Sequence, residues 1–186
     1  MTISAERPVY CHFKDLVLEF NVCAHPAAKS MSEQSQDQAS LSLEVLLNIA
    51  KQAIASECDI KPEDVRVDED GDIGYDICGS AVVFVGPSID PPAFDFRSKL
   101  LENVDDKPQV YTLINEINID IPLGQLFYSE GDIYFFYRLL VDSPTPALVS
   151  AVLGMAIEAA DHYDDRLKDL LGGERYIETT DDEVEV

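Results

Sequence analysis

The stretch from Pro122 to Val141 restricts the fold more than any other part of this chain. It reads Pro-Leu-Gly-Gln-Leu-Phe-Tyr-Ser-Glu-Gly-Asp-Ile-Tyr-Phe-Phe-Tyr-Arg-Leu-Leu-Val, two aromatic strands meeting at a tight turn around Glu130-Gly131. Across such a turn Tyr128 faces Ile133 and Leu126 faces Phe135, so these four share a face with Tyr137 and Leu139. Phe127, Tyr134, Phe136, Arg138 and Leu140 form the opposite face. Both faces are more apolar than a sheet with one solvated side requires. One is expected to bury against helices. The other is expected to meet a second subunit, a partner, or a further layer of the same chain such as its N-terminal arm.

Helical patterns flank this hairpin. Val110, Leu113, Ile114 and Ile117 recur at helical spacing behind Pro108, with Asp106 the expected cap, and that helix must stop before Pro122. After the hairpin, Val149, Val152, Leu153, Ala156, Ala160, Tyr163, Leu167 and Leu170 form one stripe between Thr145-Pro146 and Gly172-Gly173. Upstream, Leu43, Leu46, Leu47, Ala50, Ala53 and Ile54 fill one face of a helix over about Leu41–Cys58, capped by Ser40 or Ser42. Between the first two helices, Val65 and Val67 alternate with charged residues ahead of a turn at Glu69–Asp72. Ile73, Tyr75 and Ile77 then read as a half-buried strand, and Ala81–Val85 as a strand covered on both faces. Gly86-Pro87 and Pro91-Pro92 are expected to bound a loop before a last alternating strand through Phe94, Phe96 and Leu100.

These residues carry a resemblance. Asn115-x-x-Asn118, Pro122-Leu-Gly-x-Leu-Phe, Gly131-Asp132-x-Tyr with a strand ending Leu139-Leu140, Ala160-Asp161-x-Tyr163, Leu167 and Gly172-Gly173 resemble the YbjN-like family. That family is similar in fold to the small CesT-type chaperones of type III secretion. The resemblance covers roughly Leu41 to Gly173. It implies an α+β domain of order α-β-β-β-α-β-β-α, usually dimeric, that binds peptides or proteins without catalysis. It supplies no catalytic residues.

Residues 1–40 read as an N-terminal extension and linker, because Lys29–Ser40 is rich in Ser, Gln and Ala without periodicity. Pro8–Val22 suits a strand or short helix. Met31 offers a start just ahead of the first strong helix, which would make the first thirty residues an upstream extension; an ordered arm is the alternative. Residues 41–173 form the main domain, and the acidic segment 174–186 is expected to be a disordered tail.

The net charge is −23, and from Leu41 onward 10 Lys/Arg stand against 31 Asp/Glu, a net −21. Such a surface repels phosphate backbones and anionic membranes, which argues against both as partners. It favours a basic protein or peptide partner, although acidity alone also keeps a chain soluble. No apolar run approaches the ~20 residues that span a bilayer, and no basic-then-apolar secretory leader is visible. Cys11, Cys23, Cys58 and Cys78 form no C-x-x-C pair and suit free thiols in a reducing compartment, which points to the cytoplasm.

Three clusters invite a chemical reading. Asp68-x-Asp70-x-Asp72 matches the first ligands of a calcium loop, but Ile73 stands where the turn glycine belongs and Gly79 where the bidentate glutamate belongs. Cys11-His12 and Cys23-x-His25 supply four soft ligands at a spacing foreign to zinc knuckles. Asp161, His162, Asp164 and Asp165 lie interleaved with Arg166 and Lys168, the pattern of an ion-paired helix face, with Asp161 expected to bond near the sheet. No metal, cofactor or catalytic group is assigned on these grounds. The expectation is an α+β homodimer, an antiparallel sheet with the first and last helices on one face, that binds a protein or peptide through Phe127, Tyr134, Phe136, Arg138 and Leu140. A metal-dependent enzyme using the acidic clusters and a purely structural assembly subunit are the alternatives.

Overall fold

A computed structural model describes the backbone of residues 9–13 and 16–20 and the whole of residues 41–75 and 81–176. The chain divides into two units, Met1–Ala39 and Ser40–Val186. In the first, β1 (Val9–Phe13) and β2 (Leu16–Phe20) pair as an antiparallel hairpin, Val9 opposite Phe20 and Phe13 opposite Leu16.

The second unit begins with α1 (Leu43–Cys58). Ser42 caps it, its hydroxyl accepting the Val45 amide at 3.2 Å, and Asp59 closes it in the left-handed region. Leu46, Ala50, Ala53, Ile54 and Ala55 are buried along its inner face. A short 3-10 turn, Pro62–Asp64, follows, and Val65 is buried in the irregular stretch beyond it, so the Val65–Val67 alternation forms no strand. The sheet is built from β3 (Ile73–Tyr75), β4 (Val83–Ile89), β5 (Pro92–Glu102), β6 (Gln125–Ser129) and β7 (Asp132–Leu140), in the order β3-β4-β5-β7-β6 and antiparallel throughout. Helix α2 (Pro108–Asp120) links β5 to β6, and α3 (Pro146–Leu171) follows β7. Two residues after α3, Glu174–Arg175, add β8 to β5. The observed order is thus α-β-β-β-α-β-β-α, as expected, with one further strand.

One sheet face is the core. Val83 and Val85 of β4, Phe94 and Phe96 of β5, Leu126 of β6, and Ile133 and Phe135 of β7 are all buried on it. Helices α1 and α3 cover this face over β4 and β5, with Ala50 and Ala53 of α1 and Ala156 and Ala160 of α3 among their buried residues. Small residues at buried helix positions permit close approach of backbones. Each fully buried Phe or Leu contributes about 1.5–3 kcal/mol, which is what holds an otherwise highly charged chain together. Helix α3 starts as expected, the Thr145 hydroxyl accepting the Leu148 amide at 3.2 Å ahead of Pro146.

Three local expectations are corrected. Asp106 does not cap α2; Lys107 holds the cap position without a side-chain bond, and Asp106 instead accepts the Tyr111 hydroxyl at 2.9 Å. The Gly86–Pro92 stretch is not a loop, because β4 runs on to Ile89 and turns at Asp90-Pro91. Pro87 is tolerated there because β3 pairs only with Val83, Phe84 and Val85, leaving Pro87 on an edge where no ladder donor is needed. The acidic segment does not begin as a free tail, since Glu174 and Arg175 pair with Glu102 and Leu101; residues 177–186 lie outside the described residues.

Candidate functional site

The face of the sheet opposite the helices gathers the residues expected from the hairpin. The turn at Glu130-Gly131, both at positive φ, sets Ser129 opposite Asp132, and from it the pairing runs Tyr128 to Ile133, Phe127 to Tyr134 and Leu126 to Phe135. Because side chains alternate, Tyr134, Phe136, Arg138 and Leu140 point away from the core beside Phe127. The first four of these in the chain, Phe127, Tyr134, Phe136 and Arg138, are half-buried, and Leu140 is 64% exposed. Phe127 and Tyr134 stack with ring centroids 5.1 Å apart, and the Arg138 guanidinium lies 5.9 Å from the Phe136 ring.

Strand β5 supplies the charges of this face. Its register sets Asp95 beside Arg138, Arg97 beside Phe136 and Lys99 beside Tyr134. Arg138 holds Asp95 through two bonds of 2.6 Å, a bidentate fork that lysine cannot reproduce. Arg97 pairs with Asp72. Burial pushes the Asp72 carboxyl above its usual range even though the Arg97 guanidinium pulls it down. Lys99 reaches Asp132 at 2.9 Å and Glu102 at 3.0 Å, and its ammonium lies over the rings of Tyr134 and Tyr176. Burial works against that ammonium, but the two carboxylates outweigh it and hold its pKa above the ordinary lysine value. Tyr134 is pushed up to about 12 by burial and by its hydroxyl bond to Asp132. The result is an aromatic surface whose cations each stand against a carboxylate. It is chemistry for recognition by stacking and packing; none of these groups is a nucleophile beside a base.

The acidic clusters are spent on structure. Asp68 accepts the amides of Asp70 and Asp72, each at 2.9 Å, and so shapes the turn before β3. Asp161 is exposed, and Asp164, three residues on, is the buried carboxylate of α3. His162 lies edge-on to Tyr163 at 4.9 Å. Among the described residues no three His, Cys, Asp or Glu side chains converge as a metal would require. The side chains of Cys11, His12, Cys23 and His25 lie outside the described residues. A cleft of about 370 Å³ between α2 and α3 is lined by Glu116, Ile117, Ile119, Asp120, Tyr163 and Arg166, without a His, Cys or Ser. No described helix is long and apolar enough to cross a membrane.

Three positioning devices went unread in the sequence. Asn118 at the end of α2 donates to the Leu126 carbonyl at 2.9 Å and accepts the Leu126 amide at 2.7 Å, so one side chain satisfies the outward backbone of edge strand β6. Gly124 sits at φ 76°, and a β-carbon there would lie 2.7 Å from the Phe135 ring and 2.8 Å from the Phe136 carbonyl. Arg175 reaches back to Asp164 and Asp165. Asn118 and Gly124 stand inside motifs quoted above, but their roles depend on neighbours brought together only by the fold.

The ExsC–ExsE complex contains a chain similar in fold, with a TM-score of 0.53 and 12% identity, over 66% of this chain and 93% of that one. The HopA1–SchA chaperone–effector complex contains another, with a TM-score of 0.51 and 12% identity, over 67% of this chain and 98% of that one. No curated protein matches the chain significantly. The family model TY-Chap1, described as T3SS (YopN, CesT) and YbjN peptide-binding chaperone 1, matches residues 45–179. A match over that much of the sequence means that the chain belongs to the T3SS and YbjN peptide-binding chaperone family.

Proposed function

We propose that this protein is a non-catalytic, cytoplasmic chaperone that binds an extended protein or peptide segment and acts as a homodimer. The observation that carries the reading is the family match over residues 45–179, whose description is that of a peptide-binding chaperone. The binding face is the outer surface of β6 and β7, with Phe127, Tyr134, Phe136, Arg138 and Leu140 as its anchors. Aromatic and arginine side chains dominate protein interfaces because they bury large area at low entropy cost. The same face serves partner or second subunit. With a net −21 from Leu41 onward, the chain steers basic segments towards it over long range. Neither nucleic acid nor an anionic membrane is a partner, for the same electrostatic reason.

The test is selection of a displayed peptide library on the purified protein, followed by titration of the enriched peptides against wild type and a Tyr134→Ala, Phe136→Ala variant. The variant should bind about tenfold or more weakly while melting as a folded protein. Equal binding by both proteins, or no enrichment at all, would reject the assigned face. Light scattering tests the dimer separately: a mass equal to one 20.6 kDa chain at all micromolar concentrations would reject it.

A further inference from the structure

The cleft between α2 and α3 is built differently from the aromatic face. Its apolar part is Ile117 and Tyr163, 3% and 8% exposed, with Ile119 at the rim. Ile119 is 81% exposed, more than any other large apolar side chain among the described residues. On α2, Glu116 and Asp120 stand one turn apart, and on α3 Arg166 stands one turn past Tyr163, so each pair shares a side of its helix. The volume of about 370 Å³ is in the range of small ligand sites. Covering a bare isoleucine beside an apolar floor is favourable in itself.

The polar groups of the cleft are without partners. Tyr163 is more than nine-tenths buried, and a tyrosine so placed ordinarily bonds its hydroxyl to the protein. Here the hydroxyl forms no hydrogen bond among the described residues, and its oxygen reaches solvent at the cleft that Tyr163 lines. Arg166 forms no ion pair among the described residues, and neither do Glu116 and Asp120. Opposite charges therefore line one opening without meeting, because the opening is wider than the roughly 4 Å of an ion pair.

We propose that this cleft binds an extended segment of a partner protein in which an apolar side chain stands between a base and an acid. The apolar side chain covers Ile117 and Ile119, and the base meets Glu116 and Asp120. The acid takes the Arg166 guanidinium and the Tyr163 hydroxyl together, two donors on one side of α3. In an extended segment, side chains two residues apart lie on one side at about 7 Å spacing, so the pattern is base-x-apolar-x-acid. Charge complementarity selects this occupant. The chain's own residues 177–186 hold five acids and no base, and cannot supply what Glu116 and Asp120 call for. The proposal rests on the peptide-binding reading above, and adds a second place on the molecule with its own sequence requirement.

The probes are acetyl-Gly-Lys-Ser-Leu-Ser-Glu-Gly-amide and three relatives carrying Lys/Lys, Gln/Gln or Lys/Gln in place of the Lys/Glu pair. Each is titrated into the full chain and followed by NMR at the Ile119 δ1-methyl signal. Wild type should bind the Lys/Glu peptide about tenfold tighter than Gln/Gln, and tighter than Lys/Lys, an order that general attraction to an acidic surface would reverse. Arg166→Glu should turn the preference to Lys/Lys. Tyr163→Phe should melt as wild type does, because the hydroxyl holds nothing in the fold. It should lose severalfold in affinity for the Lys/Glu peptide and nothing for Lys/Gln. A wild-type preference for Lys/Lys, an unchanged order in Arg166→Glu, a destabilised Tyr163→Phe or an unmoved Ile119 methyl would each overturn the site. So would a shift of that methyl on deleting residues 177–186 or on diluting the peptide-free protein, which would give the cleft to the tail or to a second copy. Tyr134 and Phe136 enter none of these measurements, so failure here leaves the aromatic face standing, and rejection of that face leaves this cleft standing.

Discussion

Asn118→Ala isolates how α2 secures the edge of the sheet. The asparagine makes two bonds to one residue, 2.9 Å to the Leu126 carbonyl and 2.7 Å from the Leu126 amide, and Leu126 is itself buried. Each lost bond removes roughly 1 kcal/mol, and a backbone group left dry and unpaired costs about 1–3 kcal/mol instead. Two such groups give about 2–6 kcal/mol. Alanine returns about 0.5 kcal/mol through its better helix propensity, which leaves a net loss of about 1.5–5.5 kcal/mol. For an ordered unit of this size that lowers the melting temperature by roughly 5–20 °C. Circular dichroism measures the shift, and amide exchange by NMR localises it. The Leu126 amide should lose protection while Phe127, whose amide faces β7 by strand alternation, keeps more of its own. Asn118→Asp retains the acceptor but sets a carboxylate against the Leu126 carbonyl. Near neutral pH it should be at least as destabilising as alanine, and the gap to wild type should narrow below pH ~4, where the protonated acid donates again. A melting temperature within about 2 °C of wild type for Asn118→Ala, or an unchanged Leu126 amide, would refute this account of the edge.

Three further outcomes are expected. Phe135→Ala, at a position with 0% exposure, should cost about 3–5 kcal/mol in chemical denaturation, more than Tyr134→Ala and Phe136→Ala combined, because only the former opens a core cavity. Gly124→Ala should cost about 2–4 kcal/mol, from left-handed backbone strain plus overlap with the Phe135 ring, and a wild-type melting curve would refute the assigned contact. The Tyr134 hydroxyl titrates at about 12 in the fold against 10.0 ordinarily, so its stabilising share is complete below pH 10 and is lost as pH rises through 12. Thermal melts across that window should therefore fall more steeply for wild type than for Tyr134→Phe.

The element order was readable from the sequence because it depends on near neighbours. Period-3.6 stripes, a Ser or Thr cap, Pro at a first position and Gly past an end define α1, α2 and α3 within one or two residues. The Glu130-Gly131 turn likewise sets the β6–β7 register, since a two-residue loop leaves one pairing and alternation does the rest. That is why Phe127, Tyr134, Phe136 and Arg138 could be placed on one face from the sequence alone. Tertiary structure decided the rest. Which strand lies beside β7, and so which charges meet Arg138 and Tyr134, depends on β5 pairing across the long α2 connection. Asp95 and Arg138 are 43 residues apart, and no local pattern couples them. Pro87 reads as a breaker until β3 proves too short to reach it, and Asp164 reads as one more acid on a charged helix until α3 turns it inward towards Arg175. A residue's period and propensity are local properties, whereas its partner and its dielectric surroundings come from segments far along the chain.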